Sequence, residues 1–270
     1  MAFQSLIRAV VCSALVSMFA ANAFAKATQA PAKPFEPQVG QAGKDVVWVP
    51  TPQALVDKML AMAKVTPQDF VMDLGSGDGR TVIAAAKRGA RAQGIEYNPN
   101  MVELAKKNAA AAGVSDRATF IQADLFATDF SKAQVITMFL LPSINMKLRP
   151  TLLNMKPGTR VVSNSFTMED WQADQIETIQ DNCVSWCTAH LWIVPAKVGG
   201  AWQLPEGTLT LTQTFQMLSG TLGRTTISDG KMRGEEIMFK AGTATYTGRV
   251  NGNTIKGTTT GGKTWTATRK

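Results

Sequence analysis

The chain has 270 residues, 45% of them hydrophobic and 18% charged, which excludes a disordered or collagen-like polymer and leaves room for one or two buried cores. Three cysteines exclude a disulfide-stapled scaffold, and one histidine argues against a His-rich metal site, so no metal is expected. The net charge of +8 points first to a nucleic-acid or acidic-membrane partner, and where that charge sits decides whether this holds.

Residues 1–25 read as a secretory leader. Arg8 precedes an apolar run from Ala9 to Ala20, and Ala23-Phe24-Ala25 is the small-x-small pattern that a signal peptidase accepts. An uncleaved anchor in the membrane is the other reading, disfavoured because the run is short for a span. The leader predicts an exported protein, periplasmic in a bacterium. Residues 26–43 carry Pro31, Pro34, Pro37, Gly40 and Gly43, a composition suited to a linker. From 26 to 200 the chain has 18 basic against 16 acidic residues, and from 201 to 270 it has 9 against 4. The basic excess therefore belongs mainly to the last seventy residues. A basic groove in the middle segment is not supported, and no nucleic-acid partner is expected.

Residues 44–198 alternate helix and strand. Leu55, Met59, Met62 and Ala63 share one face of a helix over 53–64, behind Pro52. A short buried strand follows at 69–74, then a helix at 80–88 stopped by Gly89, a strand at 91–97, and a helix at 101–112 stopped by Gly113. Strands are expected at 119–123, 135–140 and 159–164, with a helix near 144–154. This alternation predicts a parallel, doubly wound α/β sheet with its ligand at the carboxyl ends of the strands.

The sharpest motif is Asp73-Leu74-Gly75-Ser76-Gly77-Asp78-Gly79-Arg80, placed between a strand and a helix. Glycines there allow a tight turn and close approach of backbone to a ligand. Glu96 ends the next strand, where an acid can accept both ribose hydroxyls, and Asp124 and Leu125 follow the third. A dinucleotide pyrophosphate favours a neutral or basic turn; this turn is acidic. It suits a cationic ligand without phosphate, and S-adenosylmethionine fits. Asp78 acting merely as a helix cap is the plain alternative for that residue, but it explains neither Glu96 nor Asp124.

Asp73 to Arg80, Ile95-Glu96-Tyr97-Asn98-Pro99 and Gln122-Ala123-Asp124-Leu125 together resemble the cofactor motifs of class I S-adenosylmethionine-dependent methyltransferases. Val49-Pro50-Thr51-Pro52, the run Asp73 to Ala86, Phe139-Leu140-Leu141-Pro142-Ser143 and Pro157-Gly158-Thr159-Arg160-Val161-Val162-Ser163 narrow the resemblance. They are similar to the lysine methyltransferases that include the mitochondrial ATP synthase c-subunit enzyme and its bacterial relatives. The resemblance covers roughly residues 45–195. It implies a Rossmann-like core and cofactor contacts from Asp73, Gly75, Ser76, Gly77, Asp78, Gly79, Glu96, Asp124 and Leu125. A protein lysine substrate is implied too, one that could be membrane-associated. Asn164 stands where bacterial relatives often carry histidine, and no role is carried to it.

A lysine acceptor must lose its proton, which an apolar channel favours by desolvation. Trp48, Thr51, Phe139, Leu140 and Leu141 are candidate walls; ordinary core packing is the competing reading for the leucines. The fourth strand is not followed by the Asn/Asp-Pro-Pro-aromatic motif that grips planar amides and nucleobase amines. No catalytic base is assigned. His190, at the start of Leu191-Trp192-Ile193-Val194, reads as a partly buried structural residue. Cys183 and Cys187 could bridge in an exported protein or simply pack, and packing is the favoured reading.

Residues 199–270 read as a small antiparallel all-β domain, a meander or barrel. From 201 onward there are 17 threonines and 11 glycines, and Thr208 to Phe215 alternates. Asp229-Gly230 and Asn251-Gly252 are expected as two-residue hairpin turns, with Arg233-Gly234 and Lys256-Gly257 following each in a degenerate repeat. Two other functions stay open at this point: a small-molecule methyltransferase, and an exported binding protein that no longer catalyses. Export adds a tension, because S-adenosylmethionine is made in the cytosol. The oligomeric state is not legible.

Overall fold

The computed structural model describes residues 35–270; the leader at 1–25 and the linker up to residue 34 lie outside the described residues. Helix α1 (Gln53–Met62) precedes β1 (Phe70–Leu74), α2 (Arg80–Lys87), β2 (Arg91–Glu96), α3 (Pro99–Ala111) and β3 (Ala118–Gln122). Then come β4 (Val135–Met138), α4 (Pro142–Leu153), β5 (Arg160–Asn164), β6 (Gln175–Thr178) and β7 (Thr188–Ile193). The sheet order is β3-β2-β1-β4-β5-β7-β6. The first five strands are parallel, and β7 runs antiparallel to both β5 and β6. The reversal of strand order between β1 and β4 opens a crevice at the carboxyl end of the sheet.

Local chemistry accounts for the helix starts. Asn98 caps α3 by accepting a 2.9 Å hydrogen bond from the Asn100 amide, and Pro99 opens its first turn. Pro142 opens α4 in the same way. One face of the sheet is covered by α1, α2 and α3 through Leu55, Leu60, Val82, Val102 and Ala105. The other is covered by α4 through Ile144, Leu148 and Leu152, together with Trp171 and Trp192. Leu140 is buried in this second core. Among the described residues no helix is long and apolar enough to cross a membrane.

The last eight strands close into an antiparallel barrel: β8 (Gly200–Leu204), β9 (Gly207–Thr214), β10 (Met217–Leu222), β11 (Thr225–Arg233), β12 (Glu236–Ala241), β13 (Ala244–Asn251), β14 (Thr254–Thr259) and β15 (Thr264–Arg269). Alternate positions fill its interior with Trp202, Leu209, Leu211, Ile237, Phe239, Ile255 and Trp265. The turn expectations need correction. Asp229-Gly230 lies inside β11 at a register shift, with Asp229 at a φ of 53°. The Gly230 backbone crosses β10 too closely to carry a side chain, so this pair forms a bulge that bends the barrel wall. Arg233-Gly234 is not a repeat mark after a turn: Arg233 pairs with Glu236, which makes Gly234 and Glu235 the two-residue loop. Asn251 pairs with Thr254, so that loop is Gly252 and Asn253. Gly257 sits inside β14, opposite Gly248.

The barrel packs on the sheet domain. Phe215 stacks on Trp171 at 6.1 Å with Arg149 above it at 5.2 Å. Gln216 Nε2 donates to the Gln172 carbonyl at 2.7 Å, and Lys231 pairs with the buried Asp174 carboxylate at 3.1 Å.

Candidate functional site

A cavity of about 250 Å³ lies at the crevice between β1 and β4, close to the lower bound of the small-molecule size class, about 300 Å³. Its lining includes Trp48, Thr51, Asp73, Gly75, Ser76, Gly77, Asp78, Glu96, Asp124, Leu125, Phe139, Leu140 and Leu141. Thus every residue the sequence proposed for the site converges there except Gly79. Gly79 caps α2 with a φ of 83°, and a Cβ on it would lie 2.7 Å from the Phe120 ring and 2.9 Å from Ala105. It holds the turn against the core and does not line the cavity.

Three strand ends supply the acids. Asp73 is buried near the end of β1, and Thr137 Oγ1 on β4 donates to its Oδ1 at 2.6 Å. Burial pushes this carboxyl up to about 7; the Thr137 bond opposes the push, and the charges of Glu96 and Asp78 add to it. Glu96, ending β2, accepts the Gly77 amide at 2.9 Å on one oxygen and the Asn98 amide at 2.9 Å on the other. It therefore shapes the glycine turn, while each oxygen keeps a second lone pair for a ligand hydroxyl. Asp78 is locked to Arg80 by a 2.6 Å ion pair, and Arg80 also donates to the Thr51 carbonyl at 2.9 Å. After β3, Asp124 accepts the Phe126 amide and pairs with Lys44 at 2.6 Å. The Lys44 hydrogen bond holds the Asp124 carboxyl below the usual range and raises Lys44 in turn.

The glycine turn is packed tightly on both sides. Ser76 Oγ is buried against the Gly94 backbone beside Phe120, without a hydrogen-bond partner among the described residues. Gly77, at a φ of 53°, faces Trp48, and a Cβ there would lie 2.7 Å from the indole nitrogen. Among the described residues, no group of three or more His, Cys, Asp or Glu is placed to hold a metal.

Sequence reasoning missed part of the wall. Gln41, Ala42 and Gly43, inside the segment read as a linker, line the cavity, and the chain there folds back through an Ala42–Val47 bridge. Phe166 and Trp186 also line it. Asn164 Nδ2 donates to Thr51 Oγ1 at 3.2 Å, fixing the entrance to α1. A second correction concerns Cys183 and Cys187, which are joined in a disulfide and do not simply pack. The five-residue run Cys183-Val184-Ser185-Trp186-Cys187 brackets the tryptophan, and that bracketing is the sequence signal for its role. His190 is 8% exposed on β7, its ring stacked on Trp192 at 5.8 Å, and burial lowers its basicity.

The ANTKMT methyltransferase domain model matches residues 73–175. A protein-lysine N-methyltransferase of Saccharolobus islandicus is 40% identical over 152 residues, covering 55% of this chain and 94% of that protein. The ATP synthase c-subunit lysine N-methyltransferase of Xenopus laevis is 34% identical, covering 48% of this chain; the chain spans just over half, 57%, of that relative's length. The crystal structure of an RNA methyltransferase from Salinibacter ruber in complex with S-adenosyl-L-homocysteine is 47% identical, with a TM-score of 0.52, covering 56% of this chain and 96% of that one. Each of these matches spans about half of the chain or less.

Proposed function

The chain belongs to the protein-lysine N-methyltransferase family of the Saccharolobus islandicus relative, and from that premise we propose that it methylates a lysine side chain of a polypeptide. The enzyme is an S-adenosylmethionine-dependent methyltransferase. Its cofactor fits the acidic cradle of Asp73, Ser76, Gly77, Glu96 and Asp124. Bound there, the cofactor supplies an electrophilic methyl group on a cationic sulfur. Asp73 attracts the cationic ligand, and Glu96 offers acceptors to its hydroxyls.

The single observation carrying the acceptor class is the chemistry of the other wall. Phe139, Leu140, Leu141, Phe166 and Trp186 line it with no ionisable group among them. Its aliphatic part, Leu140 and Leu141, excludes water and favours the neutral amine over the ammonium, whose ordinary pKa is about 10.4. Exposed apolar side chains near it, Leu141 and Val184, fit a substrate presented from a membrane protein.

An RNA acceptor is the competing reading, favoured by the Salinibacter ruber structure. It meets an electrostatic obstacle. Among the described residues, the basic side chains lining the cavity, Lys44 and Arg80, are both paired with carboxylates, leaving no free cation among them for a phosphate. Titration calorimetry tests the cofactor site: S-adenosylmethionine should bind, and Asp73→Ala or Glu96→Ala should weaken it at least tenfold. No binding by the parent would overturn the assignment. Label from the methyl donor appearing in RNA and absent from polypeptide would favour the competing acceptor.

Export is part of the same proposal. The leader motif and the Cys183–Cys187 disulfide both suit an oxidising compartment. Fractionation with N-terminal sequencing should find a chain beginning at Lys26 outside the cytosol; an intact leader on a cytosolic chain would contradict it.

A further inference from the structure

Three loops, after β4, after β5 and between β6 and β7, bring Phe139, Phe166 and Trp186 together in the cavity lining. Their ring centroids lie 5.9 Å apart for Phe139–Phe166, 6.0 Å for Phe139–Trp186 and 5.2 Å for Phe166–Trp186. Trp186 remains 44% exposed, so part of its ring is free to meet a substrate. Its backbone lies in the left-handed region, with a φ of 59°, unusual for so bulky a residue and kept only where the surroundings enforce it. The enforcement is visible. The Cys183–Cys187 disulfide pinches the loop on both sides of Trp186, and the Ile179 amide donates to the Cys187 carbonyl at 3.0 Å at its base. Aromatic faces attract cations, most strongly where desolvated. A methylated ammonium suits such a wall because it has few or no N–H groups left to hydrogen-bond.

We propose that Trp186, latched by the Cys183–Cys187 bridge and packed on the stacked Phe139 and Phe166 rings, determines substrate specificity by presenting its exposed face as the outer part of an aromatic collar, against which the acceptor's ammonium end rests on entry and its methylated forms rest after transfer, and that this collar loosens when the bridge is reduced. The identity of that ammonium as a lysine rests on the function proposed above; the collar itself is tested by binding.

The full chain, saturated with S-adenosylhomocysteine, is titrated with N-acetyl-trimethyl-lysine amide and with its uncharged isostere in which carbon replaces the ammonium nitrogen. The charged probe should bind at least tenfold tighter. Trp186→Ala should erase that preference and Trp186→Phe should retain most of it, with S-adenosylhomocysteine affinity held within threefold in both. Dithiothreitol delivers two electrons and two protons to the bridge, leaving as its cyclic disulfide and producing two thiols. This should weaken the charged probe at least fivefold, as should the Cys183→Ser/Cys187→Ser double variant. Equal binding of the two probes to the parent, or a preference surviving Trp186→Ala, overturns the collar. Equal binding to oxidised and reduced chains overturns the latch. A chain that keeps the preference yet methylates no lysine supports the collar and overturns the lysine reading instead.

Discussion

At the scale of single residues, Asp73 carries the most testable electrostatics. Its folded-state pKa is raised to about 7 by burial and by the neighbouring Glu96 and Asp78 charges. In the ligand-free chain its contribution to stability is therefore fully present below the ordinary carboxyl pKa of about 4 and is lost as pH rises through about 7. A cationic ligand prefers the ionised form, so affinity should run the other way. Calorimetry should find S-adenosylmethionine binding tighter at pH 8 than at pH 5.5, and Asp73→Asn should flatten that difference while weakening binding at pH 8 at least tenfold. The same variant should stabilise the ligand-free chain above pH 7, by on the order of a few kcal/mol in chemical denaturation. The carboxylates were legible in the sequence because each ends a strand next to a turn signal. Phe166 was not, and the local mark on Trp186, its bracketing by Cys183 and Cys187, does not place it at the site, since that depends on the antiparallel pairing of β5, β7 and β6.

At the scale of elements, the glycine before α2 and the glycine after α3 separate two costs of adding a side chain. Gly79 and Gly113 both have positive φ, 83° and 69°, but a Cβ on Gly79 would press on Phe120 and Ala105, while Gly113 faces open space. Gly113→Ala should cost about 1–2 kcal/mol, for backbone strain alone. Gly79→Ala should cost a further 1–3 kcal/mol or so for overpacking; equal losses in urea denaturation would contradict the packing role. The helices and parallel strands were readable from periodicity and from capping residues such as Asn98 and Pro99. The barrel turns were read less well: Asp-Gly favours a hairpin locally, yet at Asp229-Gly230 the strand continues, its register shifts against both neighbours, and it bulges. Tertiary closure of the barrel overrode the local preference there.

At the scale of the molecule, the basic excess marks the barrel and does not describe the site. The sheet domain is nearly neutral, and its cavity combines an acidic cradle with an apolar wall. Phe215, Gln216 and Lys231 tie the barrel to Trp171, Gln172 and Asp174, so the two should melt together. Calorimetry should show one cooperative transition for the parent and two for a Phe215→Ala/Gln216→Ala variant; two transitions in the parent would contradict a coupling interface. The doubly wound class followed from strand–helix alternation, whereas closure of the last eight strands is a property of their joint tilt and pairing. Nothing in one strand reveals it. The most direct test of the whole account is to incubate the parent and Asp73→Asn chains with S-adenosylmethionine carrying a deuterated methyl group and with fractionated membrane proteins. Mass spectrometry of the digested polypeptides should find the deuterated methyl on lysine Nε with the parent and at least tenfold less with Asp73→Asn. Deuterated methyl recovered only in RNA or in small molecules, with lysine unlabelled, would contradict it.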